Sequence, residues 1–254
     1  MSDRRRFENR SIIVTGGASG IGAATAQAFA DEGGCVTIAD LNVELGEKVC
    51  ADIVAHGGKA QFVKTDATNE EQVKALIKAA CEAFGPVRHA FNNVGLSRPG
   101  SLEELSLEDW QWTVDVCLTS AFLCIKHEIP VMKENGGGTI VNTSSMSGVI
   151  YTDAAPASYS AAKAAVTHLG HYASCAYAAD NIRVNSVLPG LTATPIVASM
   201  LSNEQQAQVA SHNQMIHRAV QPSEIASTVL FLSSDEAAMI TGRAIEVSGG
   251  RASA

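Results

Sequence analysis

The chain has 254 residues, 46% hydrophobic and 17% charged, with a net charge of -8. That length and apolar content support a large core. The acidic balance excludes nucleic-acid binding as the main task, because phosphate contacts need clustered Lys and Arg. Taken in chain order, the segments alternate. SIIVT (Ser11–Thr15) is a short apolar run that leads into glycines, and a small-residue helical stretch follows from Ile21 to about Glu32. CVTIAD (Cys35–Asp40) reads as a second strand, with a helix from about Val43 to Ala55. AQFVKTD (Ala60–Asp66) reads as a third strand, with a helix over Glu70–Phe84, and HAFNN (His89–Asn93) as a fourth. One long helical segment is expected over Leu107–Lys133, then a fifth strand at GTIVNTSS (Gly138–Ser145) and a helix around Tyr159. IRVNSVLPG (Ile182–Gly190) is a sixth strand, a helix is expected around Ser223–Leu232, and RAIEVSG (Arg243–Gly249) closes the series. Seven apolar strands alternating with helices predict a doubly wound, seven-stranded parallel α/β sheet with helices on both faces. No linker or composition shift divides the chain, so a single domain over residues 1–254 is expected.

Several classes of site are excluded by spacing. Cys35, Cys50, Cys81, Cys117, Cys124 and Cys175 show no Cys-x-x-Cys pair, which predicts reduced thiols and a cytoplasmic protein. His168 and His171 are three apart but lack a carboxylate or cysteine cluster, so no metal is expected. No apolar run approaches the roughly 20 residues of a membrane span. Met1–Arg10 is polar throughout, so no secretory signal is expected. The basic cluster Arg4–Arg6 is expected to be a solvated arm.

TGGASGIG (Thr15–Gly22) sits between the first strand and its helix. Glycines there allow a sharp turn and close approach of a ligand, and the helix N-terminus offers free N–H groups to a pyrophosphate. The spacing is G-x-x-x-G-x-G at Gly16, Gly20 and Gly22, and the placement after strand one points to a dinucleotide. Asp40 ends the second strand, 18 residues after Gly22. A carboxylate there accepts both adenosine ribose hydroxyls and repels a 2′-phosphate, which favours NAD over NADP. Asp66 holds the matching place after strand three. PASYSAAKA (Pro156–Ala164) sets Tyr159 and Lys163 on one helix face. Such a pair is either an ordinary surface or a phenol whose proton is loosened by an ammonium.

These motifs, in this order, resemble the short-chain dehydrogenases/reductases of about 250 residues. NNVG (Asn92–Gly95), Ser144–Ser145, the Tyr159/Lys163 pair, RVNSVLPG, LTATP, RAVQPSEIA and TGRAIEVSGG extend the resemblance over nearly the whole chain. The resemblance implies a Rossmann-like fold and an NAD-dependent oxidoreductase that interconverts a secondary alcohol and a ketone. It assigns Ser145, Tyr159 and Lys163 to catalysis: Tyr159 as acid/base, Ser145 on the substrate oxygen, Lys163 on the phenol and the nicotinamide ribose. Cofactor contacts are implied at Gly16, Ser19, Gly20, Ile21, Gly22, Asp40, Leu41, Asp66, Ala67, Asn93, Gly95, Tyr159, Lys163, Pro189, Gly190, Thr192 and Thr194. A homotetramer or homodimer and a small-molecule substrate are implied as partners, with no nucleic acid or membrane. The alternative is an NAD(H)-binding regulator or scaffold without turnover.

Two departures stand out. Ser145 and Tyr159 are 14 apart, one more than the family pattern. In VDVCLTS (Val114–Ser120), Cys117 replaces the family's asparagine, which contacts a proton-relay water. A thiol is a weak donor and acceptor, so either the relay is slowed or Cys117 simply packs. The loops expected to line the substrate are Leu96–Gly100, Met146–Ala157 and Leu191 to about Gln214. They carry Met146, Val149, Tyr151, Pro156, Leu191, Ile196, Met200 and Leu201, so a hydrophobic or alicyclic substrate is expected. Leu191–Gln214 is expected to act as a lid.

Overall fold

The computed structural model describes residues 5–153 and 155–250; Arg4 of the basic cluster and Ala154 of the expected substrate loop lie outside them. Seven strands form one parallel sheet in the order β3-β2-β1-β4-β5-β6-β7. They are β1 (Ser11–Thr15), β2 (Cys35–Asp40), β3 (Lys59–Lys64), β4 (Val87–Asn92), β5 (Gly138–Thr143), β6 (Ile182–Pro189) and β7 (Ala244–Val247). The chain starts in the middle, winds outward through β2 and β3, then returns to β4 on the other side of β1. The order therefore reverses between β1 and β4, and the crevice beyond the C-terminal strand ends at that point is where doubly wound folds bind ligands.

Side chains alternate across each strand, and the two faces bury separate cores. In β1, Ile12 and Val14 join Phe29 of α1 (Gly20–Asp31), Ile53 of α2 (Val43–Ala55) and Ile225 and Val229 of the helix Pro222–Ser233. Ile13, between them, faces Leu76 and Ile77 of α3 (Glu70–Phe84) and joins a second core with Ile125 and Ile129. Each fully buried Ile or Phe contributes about 2 kcal/mol from removal of apolar surface.

The expected single helix over Leu107–Lys133 is interrupted. α4 (Leu107–Val114) passes into a π-helical turn at Asp115–Thr119 and then into α5 (Ser120–Glu134). Such turns widen the helix by one residue and often mark functional positions, and Cys117 is its buried member. α6 (Ala157–Tyr177) carries Tyr159 and Lys163. The stretch after β6 contains α7 (Pro195–Met200) and α8 (Asn203–Asn213), and α9 (Pro222–Ser233) precedes β7. Arg6 is not a solvated arm: its guanidinium pairs with both Glu32 oxygens at 2.5 and 2.6 Å and with Glu236 at 3.1 Å. The neighbouring Arg5 pairs with Glu8. No helix among the described residues is long and apolar enough to cross a membrane.

Candidate active site

The C-terminal ends of β1, β2, β4, β5 and β6 bring most of the predicted positions to one side of the sheet. After β1 the chain turns through Gly16 and Gly20, at φ +61° and +52°, which non-glycine residues rarely adopt. A Cβ on Gly22 would stand 2.0 Å from the Gly16 carbonyl oxygen, so the helix can start against the turn only with glycine there. α2, α3 and α4 are capped by the side chains of Asn42, Asn69 and Ser106, whereas Ser19 gives α1 no side-chain cap. The first amides of α1, including Ile21 and Gly22, thus face the crevice as donors suited to an anionic ligand. Asp40 accepts from the Ala18 amide at 3.1 Å and from the Asn42 amide at 3.0 Å. Those two bonds fix its carboxylate between the glycine loop and the start of α2, with the exposed Leu41 beside it. Asp66 is turned toward Thr68, accepting from its amide at 2.9 Å and its hydroxyl at 2.7 Å, and Ala67 is buried.

Asn93 ties three strand ends together. Its amide donates to the Thr15 hydroxyl at 3.1 Å, its side-chain nitrogen to the Gly16 carbonyl at 3.2 Å, and its side-chain oxygen accepts from the Thr143 hydroxyl at 3.0 Å. Thr143 also accepts Lys163 Nζ on its carbonyl at 2.8 Å, with Val94 O a longer partner at 3.4 Å. Thr143 was not identifiable from sequence as a site residue, because its role depends on β5 lying beside β4. Lys163 is fully buried, and its Nζ lies 5.6 Å from the Tyr159 ring centroid. A Cβ on Gly95 would come within 2.6 Å of Nζ, so a larger residue there would displace the ammonium. Ser144 and Ser145 divide their tasks. The Ser144 hydroxyl donates to the Lys163 carbonyl at 2.7 Å and accepts from Thr167 at 2.7 Å, anchoring α6. Ser145 hydrogen-bonds Tyr159 and accepts from the Ser147 amide at 3.1 Å.

Burial raises the Tyr159 phenol above its ordinary value; a negative charge on Cys117 would raise it further, and the Ser145 hydrogen bond pulls it down. In the chain without cofactor, burial is the largest influence on the Tyr159 phenol. Desolvation dominates, and burial also lowers the Lys163 ammonium. The Cys117 thiol is buried and donates to the Leu96 carbonyl at 3.1 Å, and burial raises its own value.

Pro189, at the end of β6, is buried; beyond it Gly190 abuts Ser248, and the Thr192 hydroxyl donates to the Gly190 carbonyl at 3.0 Å. Thr194 caps α7 and lies against Gly20, whose added Cβ would meet its side chain at 3.2 Å. The expected lid therefore begins in contact with the glycine loop. Val149, Tyr151, Leu96, Ile196 and Met200 are exposed around this side, whereas Met146 is buried. Arg98 stacks on Trp112 at 4.3 Å and faces Asp109, a surface arrangement. Among the described residues, no three His, Cys, Asp or Glu side chains converge as a metal site.

The family model described as enoyl-(acyl carrier protein) reductase matches residues 16–252. A cyclohexanol dehydrogenase from Acinetobacter sp. (strain SE19) is 41% identical over 96% of this chain and 95% of that protein. A cis-4-hydroxycyclohexanecarboxylate dehydrogenase from Sinomonas cyclohexanicum is 40% identical over 96% of this chain and 97% of that protein. The structure of a 7α-hydroxysteroid dehydrogenase complexed with NADH and 7-oxo glycochenodeoxycholic acid superposes with a TM-score of 0.92 at 31% identity, covering 99% of this chain and 97% of that one. With the glycine turn, the buried lysine under its tyrosine and a match that spans nearly the whole sequence, the chain belongs to the short-chain dehydrogenase/reductase family of oxidoreductases.

Proposed function

We propose that this protein is an NAD-dependent dehydrogenase of alicyclic secondary alcohols, working reversibly as a ketone reductase. The observation that carries this reading is the arrangement of Ser145, Tyr159 and the buried Lys163 beside a glycine turn bonded to Asp40. The uncapped start of α1 and the close Gly22–Gly16 turn fit a dinucleotide pyrophosphate. Asp40, fixed by two backbone donors, fits ribose hydroxyls and disfavours a 2′-phosphate. Thr192 and Thr194, between Gly190 and the lid, would hold the nicotinamide end.

When bound, the oxidised nicotinamide supplies the hydride acceptor. Ser145 donates to the substrate oxygen and sets the alcohol carbon toward the crevice. Tyr159, as phenolate, takes the hydroxyl proton while the carbon–hydrogen bond breaks and the carbonyl forms; reduction runs the same steps backward. Lys163, held by the Thr143 and Val94 carbonyls, keeps a positive charge under the phenol and holds ribose hydroxyls. The positive charge that arrives with the oxidised cofactor adds to that of Lys163, offsetting the burial that otherwise keeps Tyr159 protonated. The exposed apolar side chains Val149, Tyr151, Ile196 and Met200 suit a ring lacking charge. Two alicyclic-alcohol dehydrogenases among the relatives support the same substrate class. Exposed Phe122 on α5 and Tyr172 on α6 support association of copies through those helices, as a dimer or tetramer in the cytoplasm.

The test is the initial rate of NADH formation from NAD, and of NADPH from NADP, with cyclohexanol, cyclopentanol, a substituted cyclohexanol and a hydroxysteroid. Turnover with a ring alcohol and NAD, abolished in Tyr159→Phe, is the expected result. NADH binding without turnover on any alcohol would overturn the reading in favour of a binding protein.

A further inference from the structure

A buried carboxyl outside the reaction centre sits behind the platform that holds Lys163. Glu128 of α5 is fully buried, and among the described residues it makes no ion pair. Its Oε2 accepts from Asn92 Nδ2 at 3.1 Å, and that same nitrogen donates to Asn142 Oδ1 at 3.2 Å. Both hydrogens of the Asn92 amide are thereby used. Yet Asn92 Oδ1 and Glu128 Oε1 are both buried without a partner, as is the Nδ2 donor of Asn142, whose oxygen is turned to Asn92. A buried acceptor without a donor destabilises the fold, because it has given up water and gained no partner. A single proton removes both acceptor deficits. On Oε1 it converts the carboxylate to an acid that can donate to Asn92 Oδ1, while Oε2 goes on accepting from Nδ2. The pair then closes as an acid–amide ring with two hydrogen bonds.

We propose that Glu128 carries a proton in the folded protein at slightly acid to neutral pH, donates it to the Asn92 side-chain oxygen, and so positions the ends of β4 and β5. It is a positioning residue and acts through its neighbours. Asn92 precedes Asn93, which holds Thr15, Gly16 and Thr143. Asn142, paired with Asn92 in register across the sheet, precedes Thr143, which holds Lys163.

Among the described residues, no cation pairs with this carboxylate. On α5, Cys124 is a buried thiol, and Lys126 and His127 both turn outward to Glu70 of α3. On the π turn, Asp115 bonds Gln111 and Thr119, and Cys117 bonds Leu96. On β4, His89 bonds the Thr139 hydroxyl of β5. On β6, Arg183 is engaged by the carbonyls of Leu232, Ile240 and Ser234. On α6, Lys163 is engaged by Thr143 and Val94. Burial pushes the Glu128 carboxyl up to about 7, the Asn92 donor offsetting only part of that rise. The folded value lies above the ordinary carboxylate value, so the folded state binds the extra proton. The stabilisation is complete below the ordinary carboxylate range and is lost as pH rises through about 7.

The experiment compares the wild-type chain with Glu128→Gln, whose amide reproduces the donor and acceptor of the acid but cannot titrate. Between pH 5.5 and 8.5 the wild-type Tm should fall by about 5 °C more than that of the variant. The infrared carbonyl stretch of a protonated carboxylic acid should fade in the wild type over the same range and be missing from Glu128→Gln. Glu128→Ala should weaken NADH binding about tenfold, with Gln restoring it. Parallel Tm profiles would overturn the proposal. So would a wild-type infrared spectrum without a titrating acid band, which decides the matter even should the variants not fold. NADH affinity unchanged in a folded Glu128→Ala would overturn the positioning role. None of these readouts depends on which alcohol is turned over.

Discussion

The two sides of the crevice are built on opposite principles. The platform side, at the ends of β4 and β5 and the start of α6, is buried and cross-bonded. Lys163, Ser144, Thr143, Asn93, Asn92 and Asn142 form a run of side chains and carbonyls in which each holds the next. The lid side, from Leu191 to Val220, is held at its base, where Ala193 donates to Val220 at 2.8 Å and Val220 to Leu191 at 2.8 Å, and after α8, where Met215 and Ile216 donate to the Gly250 and Gly249 carbonyls at 3.3 and 2.9 Å. Beyond that base, α7 has no buried residue and α8 is mostly exposed, and their apolar side chains Ile196 and Met200 stand in solvent. Groups that move protons must be fixed to a fraction of an ångström. Groups that admit and cover a substrate must open at low cost. The same crevice therefore joins a rigid wall to a loosely held one.

That contrast implies a graded series of effects. The largest should come from the platform. Tyr159→Phe removes the group that exchanges the proton, and turnover should fall roughly a thousandfold or more while NADH still binds, as read by fluorescence titration. Retained turnover would show that the proton leaves by another group. Next is Gly95→Ala, which sets a methyl 2.6 Å from Lys163 Nζ. It should lower kcat about a hundredfold, since a misplacement of about 1 Å has effects of that size. A kcat within twofold of wild type would show that the lysine can shift without consequence. Asp40→Ala should cost about tenfold in kcat/KM with NAD and raise it with NADP, because the carboxylate no longer repels the 2′-phosphate. Equal ratios before and after would remove Asp40 from cofactor choice. The smallest effect should come from the lid side. Ile196→Ala and Met200→Ala, at exposed positions, should change Tm by no more than about 1–2 °C. They should shift KM for ring alcohols severalfold with kcat little changed. A large loss of stability would mean that the lid is as tightly packed as the platform.

The pH dependence follows the platform. Tyr159 must be deprotonated to accept the alcohol proton, and burial raises its value. Oxidation should therefore speed up as pH rises, and ketone reduction should speed up as pH falls, when log(kcat/KM) is followed in both directions. Cys117→Asn refines the same wall. It exchanges the thiol bond to Leu96 for an amide and should change the solvent isotope effect if proton exit passes that point. An unchanged isotope effect and rate would leave Cys117 a packing residue.

How far the sequence reaches differs between the two walls as well. The seven strands were legible because continuous apolar runs separated by turn residues leave few other structures open. The glycine turn, Asp40, and the Tyr159/Lys163 pair were legible because each is set by local spacing. The third strand ends at Lys64 rather than Asp66, and the π turn inside Leu107–Lys133 was not foreseen, since both depend on what packs against them. Arg6 read as solvated because Glu32 and Glu236 are distant in the chain. By itself, then, the sequence determined the alternating parallel fold and the residue types gathered at its strand ends. These rest on periodicity and motif spacing within a few turns of chain. Only the tertiary structure decided that Ser144 anchors α6, that Thr143 and Val94 hold Lys163, and that Glu128 is buried against Asn92. Those outcomes come from parallel pairing, which sets residues about 50 positions apart side by side, as in Asn92 and Asn142. Burial then changes their proton affinities in ways that no local pattern encodes.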